Sequence, residues 1–310
     1  MKILVAGGAG FLGTSLVEKY LSPENQITVI DNFATGRAQN LDPIKNNITF
    51  IKADVSELKD VEGKFDLVLN LAARVVRMDW EANPVEIMLP NSIGNMNLIK
   101  IALKNDAKYL FTSTSEVYGD PKVLPTPETY LAERFDHLGS RAPYDESKRF
   151  GETLIKAYER EYGLKSVIVR LFNSYGPRLR GGAMQGRVIT RMIELARKDA
   201  PIEIYGDGGQ TRAFTYVDDT IDGIKAVIDR GEIGEIYNVG NDKETKIIDL
   251  ANMIIELTGS KSEIVFKPLP PGDPGRRQPD ITKIRKIGWE PKVGLREGLE
   301  QMVKLYKSEE

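Results

Sequence analysis

Two places in the chain set a tyrosine four residues before a lysine: Tyr144 with Lys148, and Tyr118 with Lys122. Side chains at i and i+4 share one face of a helix. On such a face an ammonium favours phenolate over phenol, which makes the tyrosine a usable base near neutral pH. Among 12 tyrosines chance alone supplies about one such pair, so context decides. Gly119 and Pro121 turn the chain between Tyr118 and Lys122. Tyr144-Asp145-Glu146-Ser147-Lys148 instead opens an uninterrupted helical pattern. Upstream, the apolar run 109–112 ends in Ser113-Thr114-Ser115-Glu116. A hydroxyl there would hold a substrate hydroxyl or carbonyl oxygen. Glu116 would move a proton or hasten loss of a carboxylate by repulsion. Read alone, the same four residues are a capped turn beside a solvated acid.

A second constellation stands at the start of the chain. The apolar run 3–6 leads directly into Gly7-Gly8-Ala9-Gly10-Phe11-Leu12-Gly13 and then a helical pattern. Glycines between a first strand and a first helix permit a tight turn and close approach of backbone to a pyrophosphate, and the helix N-terminus offers N–H groups to it. Two registers fit, Gly8-Gly10-Gly13 and Gly7-Gly10-Gly13. Asp31 closes the second apolar run, near the spacing of about 20 residues where an acid meets the adenosine ribose. Its carboxylate would repel a 2′-phosphate, so NAD is expected over NADP, with Arg37 softening the preference. Asp54 reads either as an adenine contact or as the cap of the next turn.

These residues need a scaffold that places strand ends and helix starts together. Runs at 3–6, 27–30, 48–51, 67–71, 109–112 and 166–171 read as mainly apolar rather than strictly alternating, as strands buried on both faces of a parallel sheet do. Helical patterns at 11–21, 85–103 and 145–162 separate them. The alternation predicts a Rossmann-type, doubly wound α/β sheet. After Asn173 glycines and prolines break the rhythm; a helix at 187–197, a loop at 201–212, a helix at 217–229, a strand at 236–239 and helices at 247–257 and 295–307 are expected. We assign 1–173 and about 214–243 to a cofactor-binding domain, and about 174–213 and 244–310 to a smaller substrate-binding α/β lobe.

Composition narrows the chemistry. With 310 residues the chain can bury a large core. No cysteine is present, which excludes disulfides, thiolate nucleophiles and iron–sulfur clusters. The single histidine, His137, speaks against Ser-His-Asp catalysis and multi-histidine metal sites, and no metal is expected. Lysine and arginine total 43 against 45 acidic residues, so neither nucleic acid nor a membrane surface is an expected partner. No run reaches the ~20 apolar residues of a membrane helix, and a cytoplasmic enzyme is expected.

The chain resembles the extended short-chain dehydrogenase/reductases, which include sugar-nucleotide epimerases, dehydratases and decarboxylases. The resemblance rests on the glycine segment, Asp31-Asn32, Leu71-Ala72-Ala73, Tyr144-x-x-x-Lys148, Asn173-Ser174-Tyr175-Gly176-Pro177-Arg178, 210–219 and Gly288-Trp289-Glu290-Pro291, in order along nearly the whole chain. Within the family, 112–121, 139–149 and Gly186-Arg187-Val188-Ile189 resemble the UDP-glucuronate decarboxylases most. Dehydratases usually carry Asp-Glu where this chain has Ser115-Glu116, and 4-epimerases usually lack an acid at 116. Segments 74–80 and 179–185 depart from the decarboxylase pattern.

The resemblance implies a tightly held, recycled NAD bound by Gly7, Gly10, Phe11, Leu12, Gly13, Asp31, Asn32, Asp54, Val55, Leu71, Ala72, Ala73, Tyr144 and Lys148. It implies that Tyr144, assisted by Lys148 and Thr114, takes the proton of a sugar C4 hydroxyl, and that Glu116 serves decarboxylation. A nucleotide-sugar substrate, a UDP-sugar above all, would meet Asn173, Arg187, Tyr205, Arg212 and Arg277, with Arg276 competing for the last place. UDP-glucose 4-epimerisation is the alternative reaction, ahead of dTDP-glucose 4,6-dehydration and of a non-catalytic NAD-binding module. The helical patterns at 85–103 and 145–162 resemble those through which family members form homodimers.

Overall fold

The computed structural model describes residues 1–75, 82–132, 136–179, 187–269 and 275–308. The main sheet contains β1 (Lys2–Ala6), β2 (Gln26–Asp31), β3 (Ile48–Lys52), β4 (Leu67–Asn70), β5 (Lys108–Thr114), β6 (Ser166–Leu171) and β7 (Ile236–Val239). Across the sheet they run β7-β6-β5-β4-β1-β2-β3, and β1 to β6 pair in parallel. β1, β4 and residues 109–114 of β5 are almost wholly buried, as expected of strands covered on both faces. The chain has the Rossmann-type architecture that its strand–helix alternation predicts. Strand order reverses at β1, between β2 and β4, and the carboxyl ends there form the crevice in which such sheets take ligands.

Helix α1 (Phe11–Tyr20) follows β1, and α2 (Pro84–Leu89) and α3 (Asn95–Asn105) precede β5. Helix α4 (Ala142–Tyr162) follows β5 and ends on Gly163 in a left-handed conformation. The pattern at 85–103 is therefore not one helix. Pro90 has no N–H to give, and Pro90–Gly94 winds as a π-turn between α2 and α3. α4 starts three residues earlier than its apolar periodicity suggests, with Pro143 in its first turn, where a missing N–H costs nothing.

The chain divides into two compact units. Met1–Val117, Arg134–Leu171 and Ile224–Tyr237 form the first; Tyr118–Glu133, Phe172–Gly223 and Asn238–Glu310 form the second. The core of the first unit joins Leu4, Ile30, Val68, Leu98, Tyr109, Phe111, Ile155 and Ile168. In the second unit, the stretch 201–212 holds strands rather than only a loop. Ile202–Tyr205 pairs in parallel with Ile264–Lys267, burying Ile202 and Ile204 in alternation. Thr211–Ala213 pairs with Glu244–Lys246. The glycines at 206, 208 and 209 turn the chain only between these two strands, which is why their density hides them. Helices α5 (Val188–Arg197), α7 (Ile247–Thr258), α8 (Thr282–Lys286) and α9 (Leu295–Ser308) belong to this unit; α6 (Val217–Arg230) leads from it toward β7.

Candidate active site

The glycine turn is built so that no side chain fits. Gly7 has φ +79°, and a Cβ there would lie 2.7 Å from the Leu71 carbonyl carbon and the Ala72 nitrogen. Its amide donates to the Ile30 carbonyl (2.8 Å), while the Leu71 amide donates to Ala6 (2.9 Å), so the turn is stitched between β2 and β4. Gly10 donates to the Gly7 carbonyl at 3.1 Å, and a Cβ on Gly13 would stand 2.0 Å from that same oxygen. The Gly7-Gly10-Gly13 register is thus the one that brings backbone against backbone. Gly8 is tight for another reason, packing on Val29. No side chain caps α1 at Gly10, so the first-turn amides of Phe11, Leu12 and Gly13 remain for an anionic ligand.

Asp31 is buried at the end of β2. Its carboxylate accepts the Ala9 amide (3.0 Å) and the Phe33 amide (2.8 Å), tying the strand end to the glycine turn. Burial pushes its carboxyl above the ordinary aspartate value, against the pull of the two amides. Asn32 donates to Asp54 at 2.7 Å. The other Asp54 oxygen accepts Ser56 N–H at 2.8 Å, so Asp54 caps its turn while standing beside Asn32. Val55 is buried. Ala72 donates to Asn70 Oδ1 (3.2 Å) and the Ala73 carbonyl accepts Thr35 Oγ1 (3.4 Å). The Arg37 backbone also joins this rim, donating to the Ala9 carbonyl at 3.1 Å. A buried acid, uncapped helix amides and a turn with no room for a Cβ fit a dinucleotide.

Thr114 ends β5, and its hydroxyl oxygen accepts the Glu116 amide at 3.3 Å. Tyr144 and Lys148 lie one turn apart on the buried face of α4. Lys148 is 2% exposed; its ammonium donates to the Thr112 carbonyl (2.6 Å) and sits 4.6 Å from the centre of the Phe111 ring. Burial pushes this ammonium down to about 7, with Glu152 opposing the fall. Glu116 forms an ion pair with Arg141, the residue before α4, and Arg141 Nε lies 3.7 Å from Asp145. Burial raises the Asp145 carboxyl to about 6, with Arg141 pulling the other way. All of these groups belong to the first unit. The competing pair, Tyr118 and Lys122, belongs to the second unit and shares no helix: Gly119 is left-handed and Tyr118 donates to Asn238 at 2.7 Å.

The remaining residues singled out by sequence lie in the second unit. Asn173 has φ +32° and donates to the Ala213 carbonyl at 3.1 Å. Arg212 donates to the carbonyls of Thr211 (2.8 Å) and Gly275 (3.3 Å). The Tyr205 ring lies 5.7 Å from the Arg191 guanidinium. Arg187 is exposed at the start of α5. Arg276 is exposed and paired with Glu244, whereas Arg277 is 7% exposed and lowered to about 10 by burial. The departures at 76–80 and 180–185 lie outside the described residues.

Spacing alone missed several partners. Arg141 and Asp145 stand inside a segment already singled out, yet only the fold brings Arg141 to Glu116. Glu152 continues the stripe Tyr144, Lys148, Glu152 at four-residue steps, a signal legible in the sequence. Its partners Ser113 and Arg170 are set by the pairing of β5 with β6.

A family model described as the NAD dependent epimerase/dehydratase family matches residues 3–240. UDP-glucuronic acid decarboxylase 1 of Arabidopsis thaliana is 39% identical over 99% of this chain and 70% of its own. Among solved structures, a UDP-glucose 4-epimerase of Thermotoga maritima with UDP-glucose superposes with a TM-score of 0.89 at 31% identity, covering 100% of this chain and 99% of that one. A mutant UDP-glucuronic acid 4-epimerase of Bacillus cereus, in complex with UDP-4-deoxy-4-fluoro-glucuronic acid and NAD, gives a TM-score of 0.89 at 30% identity, covering both chains fully.

Proposed function

The chain belongs to the NAD-dependent epimerase/dehydratase family and is an enzyme; from that premise we propose that it removes the C5 carboxylate of UDP-glucuronate, giving UDP-xylose through a 4-keto sugar. The observation that carries this reading is Glu116, an acid held by Arg141 just beyond Thr114 on the strand that also anchors Lys148. The likeness to the plant decarboxylase supports it. NAD, when bound, would supply the reversible hydride chemistry at C4. Gly7, Gly10, Phe11, Leu12 and Gly13 would hold its pyrophosphate, Asp31 and Asn32 its adenosine ribose and Asp54 and Val55 its adenine, with Leu71, Ala72 and Ala73 beside it.

Tyr144 takes the C4 hydroxyl proton, its phenolate favoured by the Lys148 ammonium. Thr114 and Tyr144 then hold the C4 ketone oxygen. The C5 carboxylate is now that of a β-keto acid. As the bond from C5 to the carboxyl carbon breaks, its electron pair moves toward C4 and the negative charge settles on the held oxygen. Glu116 governs the return of a proton to C5. Asn173, Arg187, Tyr205, Arg212 and Arg277 receive the uridine diphosphate and sugar, and the buried Arg277 guanidinium is suited to an anionic partner.

The second reading is C4 epimerisation, favoured by the fold likeness to two 4-epimerases. It differs in omitting carbon–carbon cleavage. Glu116→Ala separates the two. In the decarboxylase, CO₂ release falls about hundredfold or more while NADH absorbance still develops with UDP-glucuronate; unchanged CO₂ release removes Glu116 from the reaction.

We assign the enzyme to the cytoplasm; among the described residues no helix is long and apolar enough to cross a membrane. A homodimer through the helical segment 85–103 and α4 is supported by the exposed Val85 and Met88 of α2, Ile93 of the π-turn and Phe150 of α4, and sedimentation velocity of the purified protein tests it.

A further inference from the structure

One buried acid in the first unit takes no part in the reaction just described. Glu152 stands on α4, one turn beyond Lys148 and two beyond Tyr144, and is 8% exposed. One carboxylate oxygen accepts Arg170 Nε at 3.0 Å and the Ser113 hydroxyl; the other accepts an Arg170 terminal nitrogen at 2.6 Å. Ser113 and Arg170 face each other across β5 and β6. Three donors on one acceptor-only group fit the ionised carboxylate.

The cluster reaches Lys148 by two routes. Ser113 lies next to Thr112, whose carbonyl takes the Lys148 ammonium, so its bond to Glu152 fixes the strand at that acceptor. Glu152 also shares Lys148's helix face, where i and i+4 side chains meet. The groups around Lys148 among the described residues are few. α4 supplies Tyr144, Glu152 and, in its first turn, Asp145 with Arg141 before it. β5 supplies the Phe111 ring and the Thr112 carbonyl, with Tyr109 further along committed to Asn95. β6 supplies Arg170, and the π-turn before α3 supplies only the neutral Asn91, bonded to Ser147. Two acids thus stand one turn from the ammonium on its own buried face, Asp145 before it and Glu152 after it; Asp145 lies 3.7 Å from Arg141, and Glu152 is the one tied to the strand that holds Lys148.

We propose that the Glu152–Arg170–Ser113 cluster is a positioning and charge-setting device for Lys148: an anion locked in place one helical turn from the ammonium, favouring its charged form. Arg170 grips the carboxylate through two hydrogen bonds and aims it, and Lys148 passes the effect to the Tyr144 phenol. The inference rests on the proposed reaction only in that Lys148 serves Tyr144; the test reads Lys148 directly.

The protein is labelled with ¹³C at the lysine ε-carbons, and the Lys148 signal is identified by its loss in Lys148→Met. Titrating that signal with pH gives the midpoint in the substrate-free enzyme. Glu152→Gln keeps size and most hydrogen bonding but removes the charge. The Lys148 midpoint is expected to fall by about one pH unit, a tenfold loss of proton affinity worth about 1.4 kcal/mol. Glu152→Asp should recover part of it. Because Glu152→Gln leaves Arg170 buried beside a neutral partner, the double variant Glu152→Gln/Arg170→Met serves as a second reading with no stranded charge; losing the Arg170 cation offsets part of the fall, so its midpoint is expected between those of Glu152→Gln and wild type.

Midpoints unchanged in folded variants would mean that the cluster only staples α4 to the sheet, and would overturn the proposal. A wild type that leaves UDP-glucuronate untouched would refute the proposed reaction and leave the titration result standing. With a turned-over sugar nucleotide, the alkaline limb of kcat should move down in Glu152→Gln by the same interval, a change a staple would not produce.

Discussion

Replacing Lys148 with methionine should stabilise the protein at acid and neutral pH while abolishing catalysis. The ammonium is 2% exposed, and burial lowers it from 10.5 to about 7. At 1.36 kcal/mol per pH unit, that fall bounds the cost of carrying the charge at about 5 kcal/mol. The folded state releases the proton more readily than the unfolded chain. The cost is therefore fully present below about pH 7, where both states are charged, and fades as pH rises toward 10.5. Methionine fills a similar volume without the charge, but leaves the Thr112 carbonyl without its 2.6 Å donor, a loss of about 1 kcal/mol. The expected net gain is about 2–4 kcal/mol near pH 6 and about zero or slightly negative near pH 10. Urea unfolding of both proteins, followed by circular dichroism at the two pH values, reads the difference directly. A difference between variant and wild type that is the same at both pH values would refute the buried, depressed ammonium.

Other consequences are as direct. Gly13→Ala places a methyl where 2.0 Å separates Cβ from the Gly7 carbonyl; calorimetric titration should show NAD affinity reduced at least about tenfold, with about 1–3 kcal/mol of stability lost to overpacking. Asp31→Asn offers one acceptor and one donor group to two amides, Ala9 and Phe33, that both need acceptors. One amide loses its partner, at a cost of about 1–3 kcal/mol, and the ratio of NADP to NAD affinity should rise because the anion facing a 2′-phosphate is gone.

The parts of this molecule that were legible in sequence are those in which local spacing carries the physics. A glycine turn between strand and helix, an acid at the end of the next strand, and a tyrosine–lysine step on one helix face all announce themselves within about 25 residues. The contacts that join Glu116 to Arg141, and Glu152 to Ser113 and Arg170, span from 18 to 39 positions and depend on where α4 lies over β5 and β6. The π-turn at Pro90–Gly94 escaped because apolar helical patterns stand on both sides of it, although Pro90 and Gly94 mark its ends. The strand Ile202–Tyr205 escaped because four residues beside three glycines look like a loop until Ile264–Lys267 is seen to pair with them. Arg276 and Arg277 are equivalent in sequence, and only burial separates the paired surface charge from the enclosed one.

The most direct test of the central claim is to incubate the purified protein and NAD with UDP-glucuronate, UDP-glucose and dTDP-glucose in parallel and identify the products by mass and by the proton NMR of the sugar ring, which separates C4 epimers of equal mass. Decarboxylation predicts that UDP-glucuronate alone changes, losing the mass of CO₂ to give a UDP-pentose while NAD is regenerated. Conversion of UDP-glucose to its C4 epimer, with UDP-glucuronate unchanged in mass, would contradict it and leave Glu116 and Arg141 without the role assigned to them.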